Sequence, residues 1–416
     1  MKVSSKAINN KFSILKYALV QVLSKVLILL STYIIALYAT NEIFGYVSLL
    51  QASLVTVVTI FGFNLQSGFV RYYYNYHLYQ IYNSVYPILL TLFTLAILCC
   101  FILFYIFKNH SFYVWFSLLP IIGFFNGITL IFSMLARCND KFNIYLVSEI
   151  IRPLFLMLIS VLFIFYSFNI VFVYCAALFV SLLITLLICF SKRNELVFSE
   201  YSKQEEIFST SIFLKYTAPL FFVQLMSLMN NVSDRYIMSY YLDISSIGKY
   251  GKAYLIGSSF GFFLDSLMLL WIPYVMKNRN GIIINNLTKF QYAATFMCGV
   301  SLILLCSAFA LNFFKFEFLK IDTNFIILTV IILAAFIGRI GYQLLTPIVN
   351  AYDKTSWVAK ISFSSMFVGL GLNFILIPSV GVIGAAISTF ISFFFYSVLA
   401  IYLISILKSR ILESSK

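Results

Sequence analysis

The chain has 416 residues, of which 62% are hydrophobic and only 10% charged. A soluble domain carries about 25% charged residues, so most of this length is excluded from water and belongs in lipid. The formal net charge of +14 would suit nucleic acid in a soluble protein; in so apolar a chain it fits cytoplasmic loops that face anionic lipid.

The basic start (Lys2, Lys6, Lys11, Lys16) leads into an apolar run too long for the core of a signal peptide, so it reads as a first span with no cleavable leader. About 20 apolar residues cross a bilayer as a helix. That rule predicts twelve spans: 13–39, 43–66, 84–107, 112–136, 142–166, 169–190, 212–241, 247–276, 290–311, 324–350, 356–378 and 381–407. The longest connection, 191–211 (SKRNELVFSEYSKQEEIFSTS), is polar and divides six spans from six. It predicts an N-terminal six-helix lobe over 1–190, a cytoplasmic linker over 191–211 carrying a surface-lying helix, and a C-terminal six-helix lobe over 212–416. The linker is also a candidate docking site for a glycosyltransferase.

Lys and Arg set the orientation. With the N-terminus in the cytoplasm, the inner segments hold 16 of them and the outer segments 5, namely Lys108, Lys249, Lys252, Lys315 and Lys320. Both termini are therefore expected to be cytoplasmic. The chain also echoes itself. Tyr236, Ile237, Tyr241 and Gly248 fall on Tyr33, Ile34, Tyr38 and Gly45 at an offset of 203, and Asp353-Lys354 falls on Asp140-Lys141 at an offset of 213. Two ordered echoes predict a six-plus-six repeat. Copies with an even number of spans share one orientation, with a substrate path expected between the lobes.

Seven cysteines (99, 100, 138, 175, 189, 298 and 306) lie almost entirely in apolar runs without a CxxC, and there are two histidines. This pattern predicts reduced packing residues, with no metal centre and no cofactor. The 46 Phe and 29 Tyr predict lipid-facing and interhelical surface, and some Tyr are candidates to line a sugar cavity. Tyr72, Tyr73, Tyr74 and Tyr76 read as an aromatic belt at the end of the second span, or as contacts for an incoming sugar.

Residues 372–391, LNFILIPSVGVIGAAISTFI, resemble the signature of polysaccharide exporters in the multidrug/oligosaccharidyl-lipid/polysaccharide (MOP) flippase superfamily. In that family an Ile-Pro and a Gly-x-x-Gly-Ala-Ala bridge the last two spans. Asp234-Arg235-Tyr236 followed by Gly248-Lys249-Tyr250 and Ala253 is similar to the pattern of its seventh and eighth spans. Phe44-Gly45-Tyr46 with Gly62-Phe63 and Arg71-Tyr72 looks like its first and second. The ordered set runs from near residue 30 to 391.

The resemblance implies a Wzx-type flippase of MATE-like, all-α fold. Such a protein moves undecaprenyl-pyrophosphate-linked O-antigen or polysaccharide repeat units from the cytoplasmic to the periplasmic leaflet of the bacterial inner membrane. It would work beside a polysaccharide polymerase and a chain-length regulator, with H+ or Na+ as candidate coupling ions. Physically, Gly381, Gly384, Ala385 and Ala386 form a small-residue patch for close helix approach, and Pro378 reads as a helix stop.

Charge at membrane depth costs about 3 kcal/mol on insertion scales, so it usually faces a wet cavity or a partner. Lys25, Asp234, Arg235, Asp265 and Arg339 are mid-membrane; Glu149, Arg152, Lys215 and Lys360 lie nearer the cytoplasmic ends, within snorkelling reach. A pyrophosphate suits Lys and the bidentate fork of Arg, which makes Lys25, Arg235 and Arg339 candidate anion contacts. Salt bridges, or an Arg339–Asp265 pair, are the structural alternatives. Neighbouring helix positions point about 100° apart, so Asp234 and Arg235 need not pair with each other. Asp234 and Asp265 are candidates for ion coupling or charge pairing, because a desolvated carboxyl can have its pKa raised into a useful range.

No phosphate loop, metal cluster or nucleophile–base constellation is visible, so no enzyme is expected. Two other readings stay open. A drug or organic-cation antiporter of the same fold would favour acidic cavity residues, against three basic and two acidic here. An O-antigen polymerase would be expected to carry a large periplasmic loop, whereas the longest loop here is predicted to be cytoplasmic.

Overall fold

The computed structural model of the chain describes residues 11–73, 76–110, 113–165, 170–192, 208–277, 284–313, 323–352 and 354–414. Among them are fourteen α-helices: α1 Lys11–Tyr38, α2 Asn41–Gly62, α3 Leu65–Tyr72, α4 Leu78–Phe107, α5 Leu119–Cys138, α6 Phe142–Phe165, α7 Ile170–Ser191, α8 Thr210–Tyr241, α9 Ile244–Lys277, α10 Ile284–Phe313, α11 Thr323–Gly338, α12 Ile340–Ala351, α13 Thr355–Val380 and α14 Val382–Ser414. A 3-10 turn, Tyr113–Leu118, leads into α5. Among the described residues, eleven helical stretches are long and apolar enough to cross a membrane, and they match eleven of the predicted spans. The twelfth, 247–276, falls in the 34-residue α9. With no water in the bilayer core, each span must close its own backbone hydrogen bonds, which is why an apolar chain of this length folds as helices. Most of the 191–211 linker, and Asp353 of the second echo, lie outside the described residues.

The chain forms two compact units: Met1–Tyr38 with Leu49–Leu225, and Ala39–Ser48 with Met226–Lys416. In the first, α1 packs on α6, and α5 packs on α6 and α7. Its core joins Phe61, Leu65, Phe69, Tyr73, Ile81, Val85, Phe124 and Phe213. The second predicted span does not run straight to residue 66. Phe63 (φ 45) and Asn64 (φ 52) turn left-handed, and Ser67 Oγ donates to Asn64 Oδ1 at 2.7 Å to start α3. Asp140, also left-handed at φ 55, joins α5 to α6 and accepts the Tyr17 hydroxyl at 2.9 Å.

Within the tyrosine run, Tyr73 is interior and Tyr72 and Tyr76 are half-buried. Tyr73 is 1% exposed and donates to Asn139 Oδ1. Tyr72 packs edge-on against Phe208 at 4.9 Å and Tyr216 at 5.9 Å. Tyr74 lies outside the described residues. The end of the linker is pinned to α4, where Ser84 Oγ donates to Phe208 O at 2.7 Å and Thr210 Oγ1 donates to Ser84 O at 2.9 Å.

In the second unit, α9 packs on α11 and α12, and α14 packs on α11, α12 and α13. Asp243 opens α9. It accepts the Ser246 hydroxyl at 2.6 Å and the Ser246 N–H at 3.2 Å, and the hydroxyl bond holds this exposed carboxyl below its ordinary pKa. Pro378 does not stop α13. The helix runs on to Val380, at the loss of the bond an N–H at 378 would make to the Phe374 carbonyl, and ends where Gly381 adopts φ 70. Gly384 then faces the Leu376 carbonyl too closely for a side chain.

The first echo meets itself here. Gly45 abuts the carbonyl of Ile244, and Gly248 abuts the carbonyl of Asn41. Positions 41 and 45 stand 203 before 244 and 248, so the two contacts are copies of one another. A side chain at either glycine would drive into backbone. Gly248→Ala should therefore destabilise by about 1–3 kcal/mol. Gly299, which has open space around its Cβ position, should gain about 0.5–1 kcal/mol of helix stability on Gly299→Ala. Thermal unfolding of the two purified variants checks this, and a matched pair of midpoints would contradict the packing.

Candidate functional site

The sequence Asn230-Asn231-Val232-Ser233-Asp234-Arg235 places five polar residues inside α8 without a wet face. Asn230, Ser233, Asp234 and Arg235 are 8%, 5%, 3% and 8% exposed. Such groups need protein partners. Arg235 Nη1 donates to Asn231 O one turn back at 2.9 Å, and to Asp234 Oδ1 at 3.3 Å. The two charges therefore do pair. The long arginine folds back along its own helix, which the divergence of adjacent positions left open. Its guanidinium lies 4.1 Å from the Tyr254 ring and 5.8 Å from the Tyr250 ring, within cation–π range. Tyr250, fully buried, donates its hydroxyl to the other carboxylate oxygen, Asp234 Oδ2. Positions 250 and 254 share one face of α9, so a single helix supplies both the hydroxyl and the ring.

Arg339 stands at the junction of α11 and α12. Its Nη1 reaches Asn231 Oδ1 at 3.4 Å and its guanidinium sits 5.1 Å from the Phe393 ring. Asn231 thus serves both arginines, through its backbone carbonyl and its side-chain oxygen. Its own amide donates to Ser227 O at 2.5 Å, which fixes that orientation. The predicted 324–350 span breaks here for an identifiable reason. The Ser397 hydroxyl of α14 accepts Tyr342 N–H at 2.9 Å and donates to Gly338 O. It occupies the place of the bond those two groups would make in a continuous helix. Gly341 gives it room, since a Cβ there would stand 2.9 Å from Ser397.

The alternative Arg339–Asp265 pair is not formed. Gln343 Nε2 donates to Asp265 Oδ1 at 2.7 Å, and this amide one turn past Arg339 takes the carboxylate. Asp265 and Arg339 are each half-buried. Lys25 is half-buried in α1 and belongs to the first unit. Among the described residues, two guanidiniums and one carboxylate gather around Asn231, and no carboxylate pairs with Arg339. Arginine keeps its charge in proteins, so the cluster carries one positive charge in excess inside a span. That excess can hold an anion.

Sequence reasoning picked out the charges and missed their supports. Asn231 and Tyr254 were findable, one turn from Arg235 and from the Tyr250 of the motif. Phe393 and Ser397 come from α14, and only the fold brings them near. Asp234→Asn removes the counter-charge of a buried guanidinium, a change worth about 3–5 kcal/mol against folding, whereas replacing both partners with leucine leaves no orphan charge. Thermal unfolding should rank the Asp234→Leu/Arg235→Leu double variant above Asp234→Asn; the reverse order would mean that Asp234 is not the counter-ion.

The model of the polysaccharide biosynthesis protein family matches residues 12–279. No curated protein matches the chain in sequence. Among solved structures the chain is similar to the lipid II flippase MurJ in its inward closed conformation, with a TM-score of 0.62 at 18% identity over 94% of this chain and 87% of that one. It is similar to an inward-facing multidrug resistance MATE family transporter of the MOP superfamily, with a TM-score of 0.66 at 13% identity over 94% and 96% of the two chains. A MOP superfamily transporter from Pyrococcus furiosus matches with a TM-score of 0.59 at 12% identity over 95% of each. At such identities the likeness is one of fold. The family model spans well over half of the chain, and with the many-helix fold it makes this a multi-pass membrane protein that belongs to the polysaccharide biosynthesis protein family of the MOP flippase superfamily.

Proposed function

We propose that the chain flips undecaprenyl-pyrophosphate-linked O-antigen or polysaccharide repeat units from the cytoplasmic to the periplasmic leaflet of a bacterial inner membrane by alternating access. The observation that carries this reading is the uncompensated guanidinium of Arg339 beside the Arg235–Asp234 pair. A pyrophosphate supplies the missing negative charge, and two forked guanidiniums offer it parallel donors. Lys25 is the third candidate anion contact. Asp234 and Asp265 are the acidic groups available to an H+ or Na+ driving step. An organic-cation cargo would meet a like charge at Arg339. The excess of Lys and Arg on one side of the spans supports cytoplasmic termini. A polysaccharide polymerase and a chain-length regulator are the partners this role calls for.

The test is complementation in a strain lacking its own repeat-unit flippase and supplied with the cognate repeat unit. Wild type restores surface polysaccharide. Arg339→Ala loses a charge-assisted contact worth about 1.5–3 kcal/mol, so flipping should slow about tenfold to a hundredfold and lipid-linked units should accumulate in the inner leaflet at normal protein level. Arg339→Lys keeps the charge without the fork and should fall between. Lipid-linked units that stay trapped under wild type, with the cognate cargo present, would sink the reading.

A further inference from the structure

The offset of 203 that relates Gly45 to Gly248 also relates helix ends. Helix α1 closes at Tyr38 and α8 at Tyr241; α2 opens at Asn41 and α9 at Ile244. The same offset pairs Thr32 with Arg235 and Gln51 with Tyr254, and the contacts recur with the positions. Arg235 donates to the carbonyl of Asn231 one turn back at 2.9 Å and lies against the Tyr254 ring. Thr32 Oγ1 donates to the carbonyl of Ile28 one turn back, also at 2.9 Å, and accepts Gln51 Nε2 at 3.2 Å. One arrangement thus stands in each unit with different chemistry. It is ionic in the second unit and built from a hydroxyl and an amide in the first.

The Gln51 amide has a set orientation. Thr32 spends its proton on Ile28, so the group that faces it must be a donor, the Gln51 amino group. That amino group also reaches the Tyr174 hydroxyl of α7 at 3.5 Å. Its nitrogen is held, and Oε1 is left over. Among the described residues Oε1 accepts no hydrogen bond, and on a half-buried side chain it stays open to a water-sized group. An uncharged acceptor offers a phosphate nothing, since phosphate oxygens also accept. A hard cation takes about six oxygens, far more than one carbonyl supplies. What Oε1 can take is a donor, a hydroxyl or an amide N–H. Acyl chains carry neither, and a sugar carries several. Lys25, the candidate anion contact of the first unit, stands at i to the i+7 of Thr32, so the two share one stripe of α1. A headgroup whose phosphates meet Lys25 has its sugars free to extend along that stripe.

We propose that Gln51 is a specificity-determining residue of the first unit, its Oε1 accepting a hydroxyl or acetamido N–H from the sugar that follows the pyrophosphate. The proposal rests on the flippase reading above and adds to it what tells one cargo from another. Guanidiniums answer the charge that every such cargo carries, and an amide answers the sugar that differs.

The experiment measures equilibrium binding to the full-length protein in lipid nanodiscs. The probes are undecaprenyl pyrophosphate bearing one N-acetylglucosamine and bare undecaprenyl pyrophosphate. Wild type should prefer the glycosylated lipid about fivefold, the yield of one neutral hydrogen bond. Gln51→Met keeps the length and drops the amide. It should erase most of that preference and leave affinity for the bare lipid intact, which also certifies folding. Arg339→Ala should weaken both lipids alike and keep their ratio. A preference that Gln51→Met leaves unchanged overturns the proposal, and so does equal affinity of wild type for the two lipids. A proportional fall for both lipids in Gln51→Met makes the amide an interhelical tie and overturns it as well. All three outcomes leave the flippase reading standing. Binding of neither lipid by wild type overturns both.

Discussion

A guanidinium within a membrane-spanning helix cannot shed its proton, and the polar interior of the second unit is arranged around two of them. Arg235 is settled by a carboxylate, a carbonyl one turn back and a tyrosine face. Arg339 has an amide oxygen and a phenylalanine ring. The difference between them is one carboxylate. A protein built only for stability would have paired or removed the second arginine, since burying an ion pair seldom improves on a hydrophobic pair of the same shape. Retaining the charge is costly, and it acquires a purpose when the cargo is an anion.

The asparagine between the arginines makes the arrangement cooperative. Asn231 offers its carbonyl to one and its side chain to the other, and its own amide is tied back to Ser227. A shift in either guanidinium is therefore felt by the same residue. Tyr250 extends the network from the opposite helix to Asp234, so α8, α9 and the α11–α12 junction are tied by polar contacts.

The many-helix architecture was legible from composition and run length, because lipid leaves so few alternatives. The structure gives one of the sequence echoes a physical meaning: Gly45 and Gly248 recur because each lets the other segment's backbone approach. What the sequence hid were local departures from a straight helix. The turn at Phe63–Asn64 uses left-handed residues that carry no glycine signal. Pro378, a conspicuous stop, is followed by two more helical residues before Gly381 ends the helix. The Arg235–Asp234 pair depended on a rotamer, and the loss of the Arg339–Asp265 pair depended on Gln343 arriving first. Each turns on side-chain geometry or on partners far along the chain, which spacing alone does not encode.

The break that aims Arg339 is written by a single oxygen. Ser397 lies 58 positions further along the chain, carries no charge and meets only backbone at the junction. Without that hydroxyl, Gly338 and Tyr342 could bond directly and the two half-helices would run straight, turning the arginine with them. The direction of the cationic group is thus separable from its identity. A lineage can retune the angle at which this protein presents its charge by exchanging one small residue on α14, leaving every charged residue untouched, and relatives with the same arginines could differ in cargo for that reason alone.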